Sequence, residues 1–175
     1  LEFRRVLFRS RAAREAHEAT LMQVGDALIR GTHVSGPAAE RLVAAAQLAH
    51  PVLASFASER EAKQVLSSPG AAVFDNPDQY GLCVYVPHLA QCLRQREDAL
   101  DTDTAAVPDR AACKATCACH ARTDDEIDVL REHESQHRRE ANSPLTPDLL
   151  AQRLRQTSDR ERASIEEHER TAVFI

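Results

Sequence analysis

The stretch CKATCACH, Cys113 to His120, gathers three thiols and an imidazole within eight residues. Two further cysteines, Cys83 and Cys92, lie upstream, which makes five in all. A disulfide framework usually has an even count in a secreted chain, and here the count is odd and secretion is not expected. In a reducing cytosol such a bond would not persist. Inert burial suits one cysteine in a strand, such as Cys83, but suits a cluster in a polar segment badly. Metal ligation fits better. Zn²⁺ takes four soft donors in a tetrahedron, usually as two close pairs brought together by the fold. The pairs are Cys83 with Cys92 and Cys113 with Cys117. The second has the C-x3-C spacing of a knuckle. The first, C-x8-C, is wide and requires the chain to fold back, with the acidic insertion Arg94 to Ala112 looping out. Cys119, His120 and His88 remain alternative donors, since one member of a C-x-C pair is often excluded from the metal that holds the other. A closed four-ligand site is structural and leaves no open position for a substrate.

A second pattern is HESQH, His133 to His137, which fits H-E-x-x-H. Two His at i and i+4 share one helix face, and Glu134 could act as general base at a bound zinc. Glu161 could complete that site. The flanks, Arg131, Glu132, Arg138 and Arg139, are charged where a working metalloprotease helix is apolar, and no further His follows at the metzincin spacing. The rival reading has His133 and His137 filling a helix seam that continues the face of Leu130. No G-x-S-x-G, phosphate-binding loop or dinucleotide fingerprint occurs.

The elements that must position these residues are mostly helical. Apolar Leu21, Val24, Leu28 and Ile29 predict a helix over 11–30 that ends at Gly31. Ser35 or Gly36 is expected to cap a second helix, with Pro37 in its first turn and a kink or break at Pro51. A short helix is expected from Glu59 to Leu66. AAVF (71–74) and GLCVYV (81–86) read as strands around the turn Asn76-Pro77-Asp78. Pro87 to Leu93 suits a single helical turn, and Glu97 to Arg110 a loop. Thr123-Asp-Asp-Glu126 has the form of a capping box and starts a helix running to about Asn142. Ser143 to Pro147 breaks it. Thr146 is expected to cap a final helix with Pro147 at its first position.

Leu1 to Ser10, LEFRRVLFRS, resembles the conceptual translation of a sequencing adapter and is set aside as an artefact. The expectation is an N-terminally truncated fragment. Three Arg against one Glu give those ten residues +2, so of the overall −5 the rest carries −7. That balance argues against strong nucleic-acid binding by this piece alone, because phosphate contact needs concentrated Lys and Arg. Beyond the adapter-like residues, Lys63 and Lys114 are the only lysines and aromatics are few, so the core must be Ala, Leu and Val in thin helical packing. No apolar run is long enough to span a bilayer, and a cytoplasmic location is expected.

HVSGPAAERLVAAA, FDNPDQYGLCVYVPHLAQC, the C-x3-C-A-C-HARTDD run and SPLTPDLLAQRLR together resemble a region of actinobacterial site-specific integrases or integrase-associated proteins. More loosely, the set is similar to the Cys-rich, helical C-terminal tail of transposon-encoded tyrosine recombinases. The resemblance covers about residues 30 to 170 and is most specific at DNPDQYGLC and CHARTDD. It implies that Cys83, Cys92, Cys113 and Cys117 are the four metal-binding thiols. Cys119 departs from that pattern, as does His120, and the resemblance makes Cys119 the spare. A tyrosine recombinase needs a nucleophilic Tyr with Arg and His groups. Tyr80 and Tyr85 precede the cysteine cluster in no such order, so no catalytic residue is assigned and any recombinase chemistry belongs upstream.

The resulting expectation is a mainly α fold with a small zinc-knuckle/short β element and a C-terminal antiparallel helical hairpin. Its segments are the adapter-like 1–10, a helical segment 11–70, a Cys-rich zinc-binding segment 71–122 and the hairpin 123–172. The expected function is a non-catalytic accessory region of a DNA integration or transposition protein, stabilised by a structural Zn²⁺. Its partners would be a recombinase catalytic domain or companion integrase subunits, with DNA engaged only indirectly and no membrane. A zinc metalloprotease using His133, Glu134 and His137, or a metal-free helical interaction module, are the alternatives.

Overall fold

The structure, a computed structural model, describes residues 2–55, 58, 60–61, 64, 72–94, 108–109 and 111–174. Its elements run α1 (Glu2–Ile29), β1 (His33–Ser35), α2 (Ala39–Ala54), β2 (Val73–Asn76), β3 (Gly81–Val84), α3 (Gln91–Arg94), β4 (His120–Thr123), α4 (Asp124–Ala141), α5 (Asp148–Thr171) and β5 (Val173–Phe174). The chain is thus mostly helical, around a small antiparallel sheet in the order β2-β3-β4-β1-β5.

Period-two alternation gives that sheet two distinct faces. Leu82 pairs with Ala121 and Cys83 with His120. Leu82, Val84, Ala121 and Val34 face one way, into a core of Leu21, Val24, Leu42, Val43, Ala46 and Ala49 from α1 and α2. Cys83 belongs to a separate cluster with Phe74, Tyr85, Ala90, Cys92, Cys117 and Cys119. The many alanines let α1 and α2 approach closely, as a core poor in aromatics requires. A third, small cluster of Ile127, Leu130 and Ile165 joins α4 to α5, with Tyr80 packed at its side. Each such buried aliphatic side chain contributes about 2 kcal/mol.

Several local expectations find their physical cause. Gly31 adopts φ 87° and ends α1. Its amide donates to Leu28 O and that of Thr32 to Ala27 O, the paired bonds of a Schellman cap. Thr123 and Glu126 form the capping box at the start of α4, the Thr123 amide donating to Glu126 Oε2 at 2.7 Å. Helices α4 and α5 pack antiparallel, as the pairs Arg131–Glu169, His137–Glu161 and Glu134–Ser158 show.

Other expectations are corrected. The first helix starts at Glu2, continuous through the adapter-like residues, rather than at 11. Ser35 caps nothing. It ends β1, and the N-cap of α2 is Ala38. Helix α2 continues through Pro51 to Ala54, because a proline in the final turn removes one hydrogen bond from a segment that is about to end. The first hairpin strand lies two residues later than AAVF, and the second ends at Val84. Thr146 gives its hydroxyl to Glu140 O, so Pro147, with ψ 143°, becomes the N-cap of α5. The single turn after Pro87 is two pieces, a 3-10 turn Pro87–Leu89 and α3. Strands β1, β4 and β5 were not expected at all. The helix expected from Glu59 to Leu66 and the loop from Glu97 to Arg110 fall largely outside the described residues.

Candidate metal centre

The β2–β3 hairpin turns at Pro77–Gln79 and Tyr80, whose left-handed φ of 46° reverses the chain. That reversal sets Cys83 directly opposite Phe74, on the sheet face opposite Leu82 and Val84. The chain then bends at Pro87, and α3 brings Cys92 back over the same face. From the other side, Lys114 O accepts the Cys117 amide and Cys117 O accepts the His120 amide. These turns feed the Cys113–Cys119 segment into β4. The C-x8-C segment therefore folds back, and Cys83 and Cys92 line one cavity.

All five thiols line one cavity. Cys83, Cys92, Cys113, Cys117 and Cys119 surround it together with Phe74, Asp75, Asn76, Ala90 and Pro108. Its volume is about 10 Å³, the scale of a single water-sized sphere. Cys83, Cys92, Cys117 and Cys119 are buried and Cys113 is half-buried, and all are free thiols. Cys117 Sγ accepts the amides of Gln91 and Cys119, each at 3.5 Å. The Arg41 guanidinium donates to Ala118 O and holds a positive charge beside the knuckle.

The thiols are electrostatically unlike. Cys83 is pushed far up, by its hydrogen bond to Cys119 first and by burial second. The same bond lowers Cys119 to about 6 against the opposing effect of burial, helped by Cys117 and Arg41. Burial raises Cys113, with Cys117 and Cys92 adding to the rise and an Asn76 hydrogen bond opposing it. Asn76 is 2% exposed, and its Oδ1 has no hydrogen-bond partner among the described residues. Five sulfur donors around a space of one small sphere are the donor set that zinc prefers. Among the described residues, no group of three or more His, Cys, Asp or Glu side chains stands in a ready-made metal-binding arrangement.

The two histidines considered as substitute ligands lie elsewhere. His88 is exposed on the turn after Pro87 and does not line the cavity. His120 is 2% exposed, and its ring occupies the space a side chain at position 81 would need, since a Cβ on Gly81 would sit 2.5 Å from Nε2. Neither ring nitrogen has a hydrogen-bond partner among the described residues. Burial, reinforced by the Arg122 charge, lowers it to about 4.

The H-E-x-x-H stretch lies on α4, and His133, Glu134 and His137 are each hydrogen-bonded through one atom to another element. Glu134 is buried, and its Oε1 accepts from Ser158 at 3.0 Å, from Arg162 at 3.0 Å and from Arg138. Three residues donate to the same oxygen, Oε1, of the group that a hydrolytic mechanism would need as base. His137 Nδ1 pairs with the buried Glu161 at 2.9 Å, and His133 Nδ1 with Tyr80 Oη at 3.1 Å. These side chains weld α4 to α5 and to the β2–β3 turn. Burial, then the Glu161 charge, raises Tyr80.

One constellation gave no signal in the sequence. Ser35 Oγ lies 2.7 Å from His168 Nδ1, and His168 Nε2 lies 2.9 Å from Asp124 Oδ1. The order Ser–His–Asp is that of a hydrolase triad. Ser35 and His168 are only 4% and 3% exposed, however, so no substrate reaches the hydroxyl. Asp124 Oδ2 also accepts from the His33 amide at 2.8 Å, from the His33 ring and from Thr32. Burial pushes Asp124 up, but these bonds with that from His168 outweigh it and hold the carboxyl well below its usual range. The network ties β1, the start of α4 and the end of α5 into one joint.

Comparison with known proteins yields no match to this chain among family models, curated proteins or solved structures. Among the described residues, no helix is long and apolar enough to cross a membrane.

Proposed function

We propose that this chain is a non-catalytic accessory region of a DNA integration or transposition protein, stabilised by a structural zinc. The observation that carries the metal part is the convergence of all the cysteines on one cavity of about 10 Å³. Cys83, Cys92, Cys113 and Cys117 are the proposed ligands, and zinc bound to them supplies folding energy rather than chemistry. The centre stands beside β3 and β4, and β4 runs directly into α4. Fixing the knuckle therefore fixes the root of the helical hairpin made by α4 and α5.

The integration part rests on the sequence resemblance. Its expected partners are a recombinase catalytic domain or companion integrase subunits, with DNA engaged through them. The hairpin's far end supports a protein-facing role, because Leu145 and Leu149 are 91% and 76% exposed there beside a half-exposed Leu150. Large contiguous exposed apolar patches mark interaction sites, and these leucines are neighbours in sequence. The test is metal analysis of the purified chain, followed by pull-down of recombinase subunits with wild type and with Leu145→Ser/Leu149→Ser. The reading expects stoichiometric zinc and capture that the leucine variant loses. A chain that binds no zinc overturns the metal part. Capture unaffected by chelation and by the leucine changes overturns the rest.

A further inference from the structure

A second cavity, far larger than that of the thiols, opens between α1, the β2–β3 turn and the start of α4, with a volume of about 580 Å³. Ligand sites commonly enclose about 300–1,000 Å³. Pro77, Tyr80 and Val129 give this groove an apolar wall. Val129 is 49% exposed there, although Ile127 and Leu130 of the same helix are buried. The Tyr80 ring stands edge-on to that of His133, with centroids 5.2 Å apart, and Tyr80 Oη is bonded to His133 Nδ1. The wall is therefore braced from two elements. Beside it stand the carboxylates of Asp75, Asp78, Asp125 and Glu126, and no Lys or Arg among the described residues lines the groove. Glu126 spends Oε2 on the Thr123 cap. Asp125 has Arg30 at 4.0 Å, a pair more than half exposed on both sides and so well screened. Asp75 and Asp78 are exposed, and among the described residues neither is hydrogen-bonded or ion-paired.

We propose that this groove docks an arginine-bearing segment of a partner protein, with the guanidinium at Asp75 and Asp78 and the side-chain stem against Tyr80 and Val129. Charge complementarity selects a cation, and the apolar wall selects one carried on a hydrocarbon stem. A bare metal ion would leave Val129 and Tyr80 uncovered. Arginine suits the groove better than lysine, because its planar guanidinium is weakly hydrated, lies against aromatic rings and forks onto carboxylates. No cysteine lines the groove, so the inference does not rest on the zinc reading. Asp75 also borders the thiol cavity, which makes Asp78 the cleaner probe.

The test titrates the full chain with a short fluorescent peptide of alternating arginine and leucine, beside versions with lysine or the neutral citrulline in place of arginine. The arginine peptide should bind, the lysine peptide about threefold more weakly and the citrulline peptide about tenfold more weakly. Asp78→Asn should weaken the arginine peptide by about tenfold and Val129→Ser by about threefold. Asp159→Asn removes the same charge from an exposed position on α5 outside the groove, and should change binding by less than about twofold. Equal losses in Asp78→Asn and Asp159→Asn mean that the peptide senses net charge alone, and overturn the inference. Equal binding of the citrulline peptide overturns the cation, and no binding of the arginine peptide overturns the site. Amide resonances of the wild type supply a check that needs no variant. Those of Tyr80, Gly81 and Val129 should shift on titration, and shifts confined to other regions overturn the placement.

Discussion

The thiol lobe and the α4–α5 seam each carry a metal-binding pattern, and the structure treats them in opposite ways. In the lobe, five sulfur atoms converge on a small cavity, and an adjoining amide oxygen on Asn76 lacks a partner among the described residues. In the seam, His133, Glu134 and His137 each have a partner from another element, and Glu134 has three donors. Spacing alone makes the two equivalent candidates. What separates them is whether the donors are spent. A carboxylate already neutralised by two guanidiniums has little to offer an ion. Free thiols that line one cavity keep sulfur lone pairs to offer an ion.

The comparison breaks most visibly at Cys117. Cys117→Ser should abolish stoichiometric zinc and lower the melting temperature by about 10 °C or more in zinc-containing buffer, because metal binding is folding free energy. With chelator present, wild type and variant should melt alike. A variant that melts like wild type in zinc would make the lobe as ordinary as the seam.

Next in size is Glu134→Ala. It strands Ser158, Arg138 and Arg162 around a vacated, buried site, and should cost about 2 kcal/mol in urea unfolding, a figure reduced because both guanidiniums are half in solvent. Metal content should not change. A stable Glu134→Ala protein that has lost peptide hydrolysis would instead make the seam the active region.

Smaller again is the joint at Asp124. His168→Ala should cost about 1–2 kcal/mol and Ser35→Ala about 1 kcal/mol. The double variant should cost less than their sum, because the two side chains share one bond. The smallest effect is on acid stability. Asp124 has a folded pKa below its unfolded value, so its contribution is complete above about pH 4 and is lost as pH falls below that. Asp124→Asn should flatten this part of the stability–pH curve and leave its neutral limb parallel to wild type.

The helices were legible because their signals are local. Gly31 at φ 87° and the Thr123–Glu126 box act within one turn, and both can be read from neighbouring letters. Strands β1, β4 and β5 have three, four and two residues, too few for alternation to register. In β4 the pattern even misleads, since His120, Arg122 and Thr123 are polar yet buried. Cysteine spacing was enough to propose four donors. It also left Cys119 as an alternative donor, whose place in the same cavity follows only from the folded chain. The Ser35–His168–Asp124 joint was invisible for a related reason, since Ser35 and His168 lie 133 positions apart and no local pattern links them.

The placement of β1 has a mechanical consequence. The two long C-terminal helices leave the sheet from β4 and return to it as β5, and β1 lies between those two strands, bonded to both. The pair is thus a lever whose two legs grip a single three-residue bar. Bending its free end sideways pulls one leg up and pushes the other down, and β1 takes opposed shear along both edges. Its other end runs into Gly36, whose φ of 95° lets the chain turn toward α2. A load applied about 20 residues out along the helices therefore arrives at the core as strain on one short strand.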